Sequence, residues 1–286
     1  MKIKLYISNF SNTSIGGGWT FLRNLLKGLE GKVEIVDNWK ECDIYFVFGI
    51  TTIDKGEIYN ALSSGKKLVL RVDNIPRKSR NKRQSPVARL KEFGNLADAV
   101  IYQGEWCKYY AGYFIDNKKE YIINNGVDTS IFNEKGRETG EKTYLYINYN
   151  DNPNKRFDEA LYRFDMEWRK NNGIKLIIAG DAPRIYKEHP EYDWDLPIPA
   201  DIEYVGIKNE PKEVAELMRK CDYLLYPSFC EAYPNTLLEA MACGMKPLYL
   251  NSEGGSLELY KKNLNGVKTI QVMADEYMEV FKKLVL

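Results

Sequence analysis

Short runs of apolar residues alternate along this 286-residue chain with longer stretches that repeat apolar side chains every three or four positions. The short runs are typical of buried parallel strands, and the longer stretches are typical of helices with one buried face. The predicted strands are Lys2–Ile7, Val33–Val36, Asp43–Phe48, Lys67–Val72, Ala99–Tyr102, Tyr121–Ile123, Thr143–Asn148, Ile174–Ala179, Ile202–Val205, Asp222–Tyr226, Lys246–Leu250 and Val267–Ile270. The predicted helices are Trp19–Leu29, Asp54–Ser63, Pro86–Leu96, Glu105–Phe114, Phe157–Lys170, Glu213–Lys220, Thr236–Cys243, Ser256–Lys261 and Ala274–Leu284. This alternation predicts an α/β protein with doubly wound parallel sheets.

The number of strands favours two domains over one. A single open sheet of about twelve strands would be unusual. The polar segments 124–128 and 133–142 are the best candidate linker, because they contain Asn and Gly and lack apolar periodicity. We therefore predict two Rossmann-like domains, residues 1–128 and 129–286, with a cleft between them as the expected ligand site.

Composition indicates a globular protein without a membrane span. Hydrophobic residues make up 44% of the chain and charged residues 28%, and no apolar run approaches the length that crosses a bilayer. The five cysteines are an odd number without Cys-x-x-Cys spacing. Buried thiols in a reducing cytoplasm explain them better than a zinc site.

Charge is distributed unevenly along the chain. Residues 1–125 carry 20 basic and 13 acidic side chains, and residues 126–286 carry 21 and 27. The basic excess is concentrated between Arg77 and Lys91. A solvated loop and helix face would explain it, and so would contact with an anionic acceptor or with the headgroups of an anionic membrane.

The segment 227–244, PSFCEAYPNTLLEAMACG, carries the strongest signal for chemistry. It follows a predicted strand and continues into good helix formers that end at Gly244, so it predicts a strand, a turn and a helix. Helix N-terminal amides suit a phosphate, and the carboxylates of Glu231 and Glu239 suit sugar hydroxyls. Two glutamates at this spacing also occur by chance in many helices.

The same segment resembles the Glu-x7-Glu signature of retaining glycosyltransferases of the family-4 type. The resemblance covers most of the chain, strongly over residues 143–250 and loosely before them. It implies a GT-B fold, in which the first domain lies on the acceptor side, the second binds the nucleotide sugar, and the last helix is a candidate to cross back onto the first domain. It also implies retaining transfer of a sugar from a nucleotide diphosphate sugar to a hydroxyl of a glycan, glycolipid or glycoprotein.

The resemblance implies roles for several residues of this segment. Glu231 would hold the donor sugar and steady positive charge at its anomeric carbon, and Glu239 would hold the ribose. The helix amides would cradle the phosphates. The expected donor contacts of the whole chain are Gly17, Gly18, Gly180, Gly206, Tyr233, Asn235, Thr236, Leu237 and Glu239.

Two further positions match the family in part. Lys155 matches a Lys that grips the donor diphosphate, whereas Asn150 lies near the place of the usual Arg, and Arg156 replaces a Gly. Arg156 could substitute for the missing Arg, or the two cations could be a surface pair at a helix start. Gly17 and Gly18 belong to three successive glycines that would approach the diphosphate, and a plain tight turn is the alternative.

The remaining candidates concern the acceptor and metals. Asp73 ends a strand and would orient the acceptor hydroxyl, although pairing with Arg71 explains it equally well. His189, the one histidine, is expected to be solvated in a loop. Asp193 and Asp195 spell a metal motif in a Pro-rich loop, where we interpret it as coincidence. We predict no required metal and no cofactor beyond the sugar nucleotide substrate.

Two other functions stay open from the sequence. A nucleotide-sugar epimerase can share this architecture, although one misplaced histidine weakens that case. A degenerate transferase without activity could bind polyanions through the basic segment from Arg77 to Lys91, and salt-dependent binding without turnover would favour it. For the predicted transferase we expect a glycan or lipid-linked acceptor, a cytoplasmic location with peripheral membrane contact, and no nucleic-acid partner.

Overall fold

The computed structural model describes residues 2–11, 16–73, 86–138, 140, 142–148, 152–171, 173–181 and 201–286. The chain divides into two compact units. The first, unit 1, consists of Met1–Val127, Glu231–Asn235 and Lys268–Leu286, and unit 2 consists of Asp128–Cys230 and Thr236–Val267. The prediction placed the domain boundary after residue 128 and did not foresee that Glu231–Asn235 would belong to unit 1.

The strands and helices alternate along the described residues. The strands are β1 (Ile3–Ile7), β2 (Val33–Ile35), β3 (Ile44–Val47), β4 (Lys67–Val72), β5 (Ala99–Tyr102), β6 (Glu120–Ile122), β7 (Thr143–Asn148), β8 (Lys175–Gly180), β9 (Ile202–Gly206), β10 (Tyr223–Leu225) and β11 (Lys246–Leu248). The helices are α1 (Gly17–Leu29), α2 (Lys55–Ser63), α3 (Pro86–Leu96), α4 (Glu105–Ala111), α5 (Phe157–Trp168), α6 (Pro211–Arg219), α7 (Asn235–Ala242), α8 (Ser256–Lys262) and α9 (Ile270–Val285).

Each unit is built on one parallel sheet. Unit 1 has six strands in the order β2-β1-β3-β4-β5-β6, and unit 2 has five in the order β11-β10-β7-β8-β9. The inner strands are rich in Val, Ile, Leu and Tyr and are buried along their whole length, as expected for sheets covered on both faces. The predicted class, two doubly wound α/β domains, is therefore confirmed.

The strand orders define one switch point in each sheet. In unit 1, β1 is followed by a strand on one side of the pair β1–β3, and β3 is followed by a strand on the other side. In unit 2, β7 and β10 are related in the same way. Connections leave such a pair of strands in opposite directions, so a crevice forms at their carboxyl ends. Ligands of open α/β sheets bind in such a crevice.

The last helix, α9, packs within unit 1 against α1. Phe281 and Tyr277 of α9 are buried in the core cluster that includes Phe21 of α1 and Phe46 of β3. The close approach of the two helices depends on Gly28, because a Cβ at that position would lie 2.6 Å from the carbonyl oxygen of Ile270.

The predicted strand over residues 267–270 is wrong. Thr269 forms only an isolated bridge with Val127, and helix α9 begins at Ile270. The β-branched residues of this stretch gave a strand pattern. The Thr269 hydroxyl instead caps the helix by accepting a hydrogen bond from the backbone N–H of Val272 at 3.3 Å.

Within the described residues, none of the helices is long and apolar enough to cross a membrane.

We expect Gly28→Ala to reduce the free energy of unfolding by about 1–3 kcal/mol, because the added methyl group overpacks the contact with α9. The matched control is Gly56→Ala in α2, where the nearest atom to an added Cβ is an Asp54 oxygen 3.5 Å away. The control should be neutral or stabilising by about 0.5–1 kcal/mol, since alanine favours a helix over glycine. Urea unfolding followed by circular dichroism measures both, and equal stabilities would contradict the packing described here.

Candidate functional site

At the switch point of unit 2, a backbone hydrogen bond joins the loops that follow β7 and β10. The N–H of Phe229 donates to the carbonyl oxygen of Asn154 at 2.9 Å. The Tyr146 hydroxyl donates to the carbonyl oxygen of Lys155 at 3.3 Å, and Asn152 caps this loop by accepting from the N–H of Asn154 at 3.1 Å. The two loops are therefore fixed against each other at the carboxyl ends of neighbouring strands.

Lys155 ends a short 3₁₀ turn in this loop and is half-buried. Its Nζ lies 3.5 Å from the Tyr226 hydroxyl oxygen and 5.5 Å from the centre of the Tyr226 ring. Tyr226 directly follows β10, so the lysine amine is held beside the end of that strand. A cation in this place suits an anionic oxygen of a ligand bound at the switch point.

Arg156 has a left-handed backbone, with φ of 51°, at the start of α5. Glycine adopts this conformation more readily than arginine does, which fits the Gly that the resembled family has where this chain has Arg156. Its guanidinium pairs with Glu159 at 3.2 Å, and Glu159 also accepts from Arg163 at 2.7 Å. The described contacts thus place Arg156 in a surface ion pair, and its contact with a donor stays a prediction. Asn150 lies outside the described residues.

Helix α7 follows β10 and carries Glu239 in its second turn. The first amides of a helix lack partners within it, so those of residues 235–237 point their N–H groups toward the preceding loop. Thr236 is half-buried, and the Leu237 side chain is fully buried in the core, so Leu237 can offer a ligand only its backbone. Burial raises the pKa of Glu239 to about 7.

The short segment Glu231–Asn235 packs within unit 1. The Asn125 amide donates to the Tyr233 carbonyl oxygen at 2.9 Å and to Asn235 Oδ1 at 3.0 Å. Asn235 Nδ2 in turn donates to the carbonyl oxygen of Gly17 at 3.0 Å. Three of the predicted site residues, Gly17, Tyr233 and Asn235, are therefore brought together, and half-buried Glu231 lies on the same segment.

The predicted glycine loop contains one glycine that the backbone requires. Gly16 has φ of +127° at the N-terminus of α1, whereas a Cβ at Gly17 would meet nothing within 4 Å. A Cβ at Gly18 would make ordinary contact with the Phe48 ring at 3.8 Å. The first turn of α1 contains no acidic residue, which leaves its positive end open to an anion. Residues 12–15 lie outside the described part of the chain.

Asp73 lies against the turn that follows β3. Its Oδ1 accepts a hydrogen bond from the N–H of Ile50 at 2.9 Å, and a Cβ on Gly49 would lie 2.7 Å from its Oδ2. The hydrogen bonds described for Arg71 go to Phe48 and Asn125. Asp73 thus has a structural contact, and the predicted role in orienting an acceptor stays a prediction.

Gly180 and Gly206 both have structural reasons to be glycine. Gly180 has φ of +115°, and a Cβ there would overlap the carbonyl oxygen of Asn148 on the neighbouring strand. Gly206 has φ of +70° at the end of β9, with nothing within 4 Å of an added Cβ. Contacts of either glycine with a donor stay predictions.

Several sequence predictions fall where the structure gives no description. Residues 77–85 of the basic segment, His189, and the pair Asp193 and Asp195 lie outside the described residues. Within residues 2–73, 86–181 and 201–286, apart from the short gaps named above, no group of three or more His, Cys, Asp or Glu side chains could hold a metal ion.

Sequence reasoning missed the contacts of Asn125 in unit 1 and those of Asn154 and Tyr226 in unit 2. Asn125 was assigned to the linker between the domains, but its amide binds the segment that carries Glu231. The signal that could have found it is the polar Asn pair directly after an apolar strand, at the edge where the site residues gather. Asn154 acts through its backbone carbonyl and left no such signal.

Solved structures of similar fold span nearly the whole chain. HepE from Anabaena in complex with UDP-glucose matches with a TM-score of 0.70 at 16% identity, over 98% of this chain and 89% of that chain. A sucrose-phosphate synthase from Thermosynechococcus elongatus matches with a TM-score of 0.69 at 13% identity, over 99% and 90%. TarM from S. aureus, in a mutant complex with Fondaparinux, alpha-GlcNAc-glycerol and UDP, matches with a TM-score of 0.61 at 17% identity, over 85% and 49%. No curated protein sequence matches the chain.

These similarities identify the fold as GT-B, as predicted from the sequence. The family model of glycosyl transferases group 1 matches residues 127–286, which is more than half of the chain. The protein therefore belongs to the glycosyl transferases group 1 family.

The raised pKa of Glu239 predicts a specific pH dependence of stability. Between the ordinary glutamate value of 4.5 and about 7, the folded chain holds a proton on Glu239 that the unfolded chain releases. The contribution of Glu239 to stability is therefore fully present below pH 4.5 and is lost as the pH rises through 7.

Glu239→Gln should remove this loss, so its stability relative to wild type should increase from pH 4.5 to pH 7. Urea unfolding across this range measures the difference. The exposed Glu216→Gln on α6 is the control and should follow the wild-type curve. A constant difference between Glu239→Gln and wild type would contradict the assigned burial.

Proposed function

We propose that this chain is a retaining glycosyltransferase that moves a sugar from a nucleotide diphosphate sugar to an acceptor hydroxyl. The observation that carries the proposal is the position of α7 in a chain that belongs to this family. The helix follows β10 at the switch point of its sheet and has the half-buried Glu239 in its second turn. This arrangement supplies N–H groups for a phosphate and a carboxylate for a diol.

The nucleotide is assigned to helix α7. The backbone N–H groups of residues 235–237 donate hydrogen bonds to the diphosphate, and the carboxylate of Glu239 accepts hydrogen bonds from the ribose hydroxyls. The glycines Gly180 and Gly206 would let the base or ribose approach the strand ends. Because HepE binds UDP-glucose, a uridine diphosphate sugar is the first donor to test.

Basic side chains, and not a metal ion, are assigned to stabilise the departing nucleoside diphosphate. Lys155 offsets the charge that develops on the leaving phosphate, and Arg156 supplements it when its pairing with Glu159 permits. Positive charge in a partly buried site stabilises a departing anion without reorganisation. The positive end of α7 adds to this field. Gly17 and Gly18, in the first turn of α1, are assigned as further contacts of the donor phosphates.

The sugar and the acceptor are assigned to residues of unit 1. Glu231 holds the donor sugar and steadies the positive charge at its anomeric carbon, with Tyr233 and Asn235 on the same segment. Asp73 orients the acceptor hydroxyl. The leaving phosphate takes the acceptor proton on the same face of the sugar, so the configuration at the anomeric carbon is retained.

The acceptor is proposed to be a glycan or a lipid-linked glycan on the cytoplasmic side of a membrane. The basic segment from Arg77 to Lys91 is the proposed contact for an anionic acceptor or headgroup. Its described part includes Arg89 and Lys91 in the last two turns of α3.

Turnover of nucleotide sugars tests the proposal directly. UDP-, GDP- and ADP-sugars are incubated with the chain and simple glycan acceptors in buffer with EDTA, and nucleotide release and product are measured. We expect one donor class to be consumed without added metal, and proton NMR of the product to show the anomeric configuration of the donor.

Other outcomes contradict the proposal. Inversion at the anomeric carbon would exclude retention, and activity only without EDTA would exclude the assigned role of Lys155 in place of a metal. Formation of an epimeric nucleotide sugar would support the epimerase. Salt-dependent binding of polyanions without any turnover would support the non-catalytic function.

Glu231→Ala and Lys155→Ala should each reduce kcat by about 10²-fold or more, since each removes an electrostatic contact to the transition state. Circular dichroism should show that both variants stay folded. Glu216→Ala and Lys212→Ala, at exposed positions of α6, are the matched controls and should keep wild-type turnover. Wild-type kcat in Glu231→Ala or in Lys155→Ala would remove the role assigned to that residue.

A further inference from the structure

Arg71 is a buried cation at the end of β4 in the core of unit 1. Its side chain is almost fully buried, with 2% of the residue exposed. Its Nη1 donates to the carbonyl oxygen of Phe48 at 3.1 Å, and its guanidinium carbon lies 3.5 Å from the centre of the Phe21 ring. Removing a partner of a buried charge is strongly destabilising, and these partners hold the guanidinium in one orientation.

Arg71 fixes the orientation of the Asn125 amide. Nη2 of Arg71 donates to Asn125 Oδ1 at 3.2 Å, and Asn125 is also buried, with 2% of the residue exposed. A guanidinium has only donors, so the amide oxygen must face it. Asn125 Nδ2 therefore points away from Arg71.

On that side, the Asn125 amide meets three acceptors. Nδ2 lies 2.9 Å from the Tyr233 carbonyl oxygen, 3.0 Å from Asn235 Oδ1 and 3.1 Å from Gln103 Oε1. The Gln103 oxygen is turned toward Asn125 because Gln103 Nε2 donates to the carbonyl oxygen of Val72 at 2.9 Å. The two N–H groups of the Asn125 amide thus face three acceptors, and two of these acceptors belong to the segment Glu231–Asn235.

We propose that Asn125, oriented by Arg71, is a positioning residue that sets the place of Glu231 at the reacting sugar carbon. Asn125 holds the segment at Tyr233 and Asn235, and buried Ala232 packs against the core of unit 1 beside Glu231. This inference rests on the catalytic role proposed for Glu231.

The Asn side chain is required for this role and not for pairing with Arg71. An aspartate at position 125 would accept from Arg71 at least as well, because its oxygens are charged. It would lack N–H groups, however, and would place an anionic oxygen against three acceptors. Asn125→Asp therefore keeps the partner of the buried arginine and removes the hold on Glu231–Asn235.

The experiment compares Asn125→Asp with Asn124→Asp. Asn124 is the adjacent residue, and its Nδ2 donates to the Gln103 carbonyl oxygen at 2.7 Å, so the control also loses one amide donor and gains one charge. Hydrogen exchange of peptides over residues 231–235 is measured in the ligand-free chain. Turnover is then measured with the nucleotide sugar on which the wild type is active.

We expect exchange of this segment to be about tenfold faster in Asn125→Asp, from the loss of the hydrogen bonds that hold the segment. We expect kcat to fall about 10²-fold with an unchanged KM for the donor, since small displacements of a reacting group have effects of this size. Asn124→Asp should match the wild type in both measurements. If Asn125→Asp does not fold, Asn125→Ser, which keeps an acceptor for Arg71 and one donor, should show a smaller change in the same direction.

Wild-type exchange in Asn125→Asp would overturn the proposal, and so would faster exchange with wild-type kcat. Equal losses of kcat in the two variants would also overturn it, because they would indicate a general effect of the mutated loop. If the wild type consumed no nucleotide sugar, the proposed function and the catalytic part of this inference would both fail. The exchange measurement would still decide whether Asn125 anchors the segment.

Discussion

The divergence of the chain at the switch point between β7 and β10 is the constraint on which the candidate site depends. Parallel strands whose connections leave in opposite directions place their following loops side by side at one edge of the sheet. In unit 2 the hydrogen bond from Phe229 to Asn154 fixes those two loops together. This contact holds the backbone next to Lys155, so the place of the cation follows from the strand order.

A second constraint acts within unit 1, where a buried arginine must be satisfied. Arg71 takes its partners from the end of β3 and from Asn125, and the tyrosine of α9, Tyr277, contacts it as well. Asn125 then has its donors directed at the segment that carries Glu231. The core therefore orients a residue that the sequence analysis assigned to the linker between the domains, and structural and functional roles share one network.

Much of the fold could be predicted from sequence because parallel strands buried on both faces leave an unmistakable apolar pattern. The runs that became β4 and β8 were correctly predicted almost to the residue. The stretch 267–270 was predicted wrongly, because the same β-branched residues can occur in a strand and at the capped start of a helix. The family was also recognisable from Glu231, Glu239 and the helix that contains Glu239.

The contacts within the site could not be predicted, because they join residues far apart in sequence or involve the backbone. Nothing in the sequence indicates that the carbonyl of Tyr233 meets the amide of Asn125, 108 residues away. The left-handed backbone of Arg156 was equally hidden, since a glycine would have been the expected residue there. Motifs predict which residues take part, whereas burial and hydrogen bonding decide how each is held.

We propose that the N-terminal amides of α7 and Glu239 bind the nucleotide. A crystal structure of the chain grown with UDP tests this most directly. We expect the diphosphate within hydrogen-bond distance of the N–H groups of residues 235–237 and the ribose hydroxyls on the Glu239 carboxylate. UDP bound elsewhere in the chain, with these amides and Glu239 free of it, would contradict this assignment.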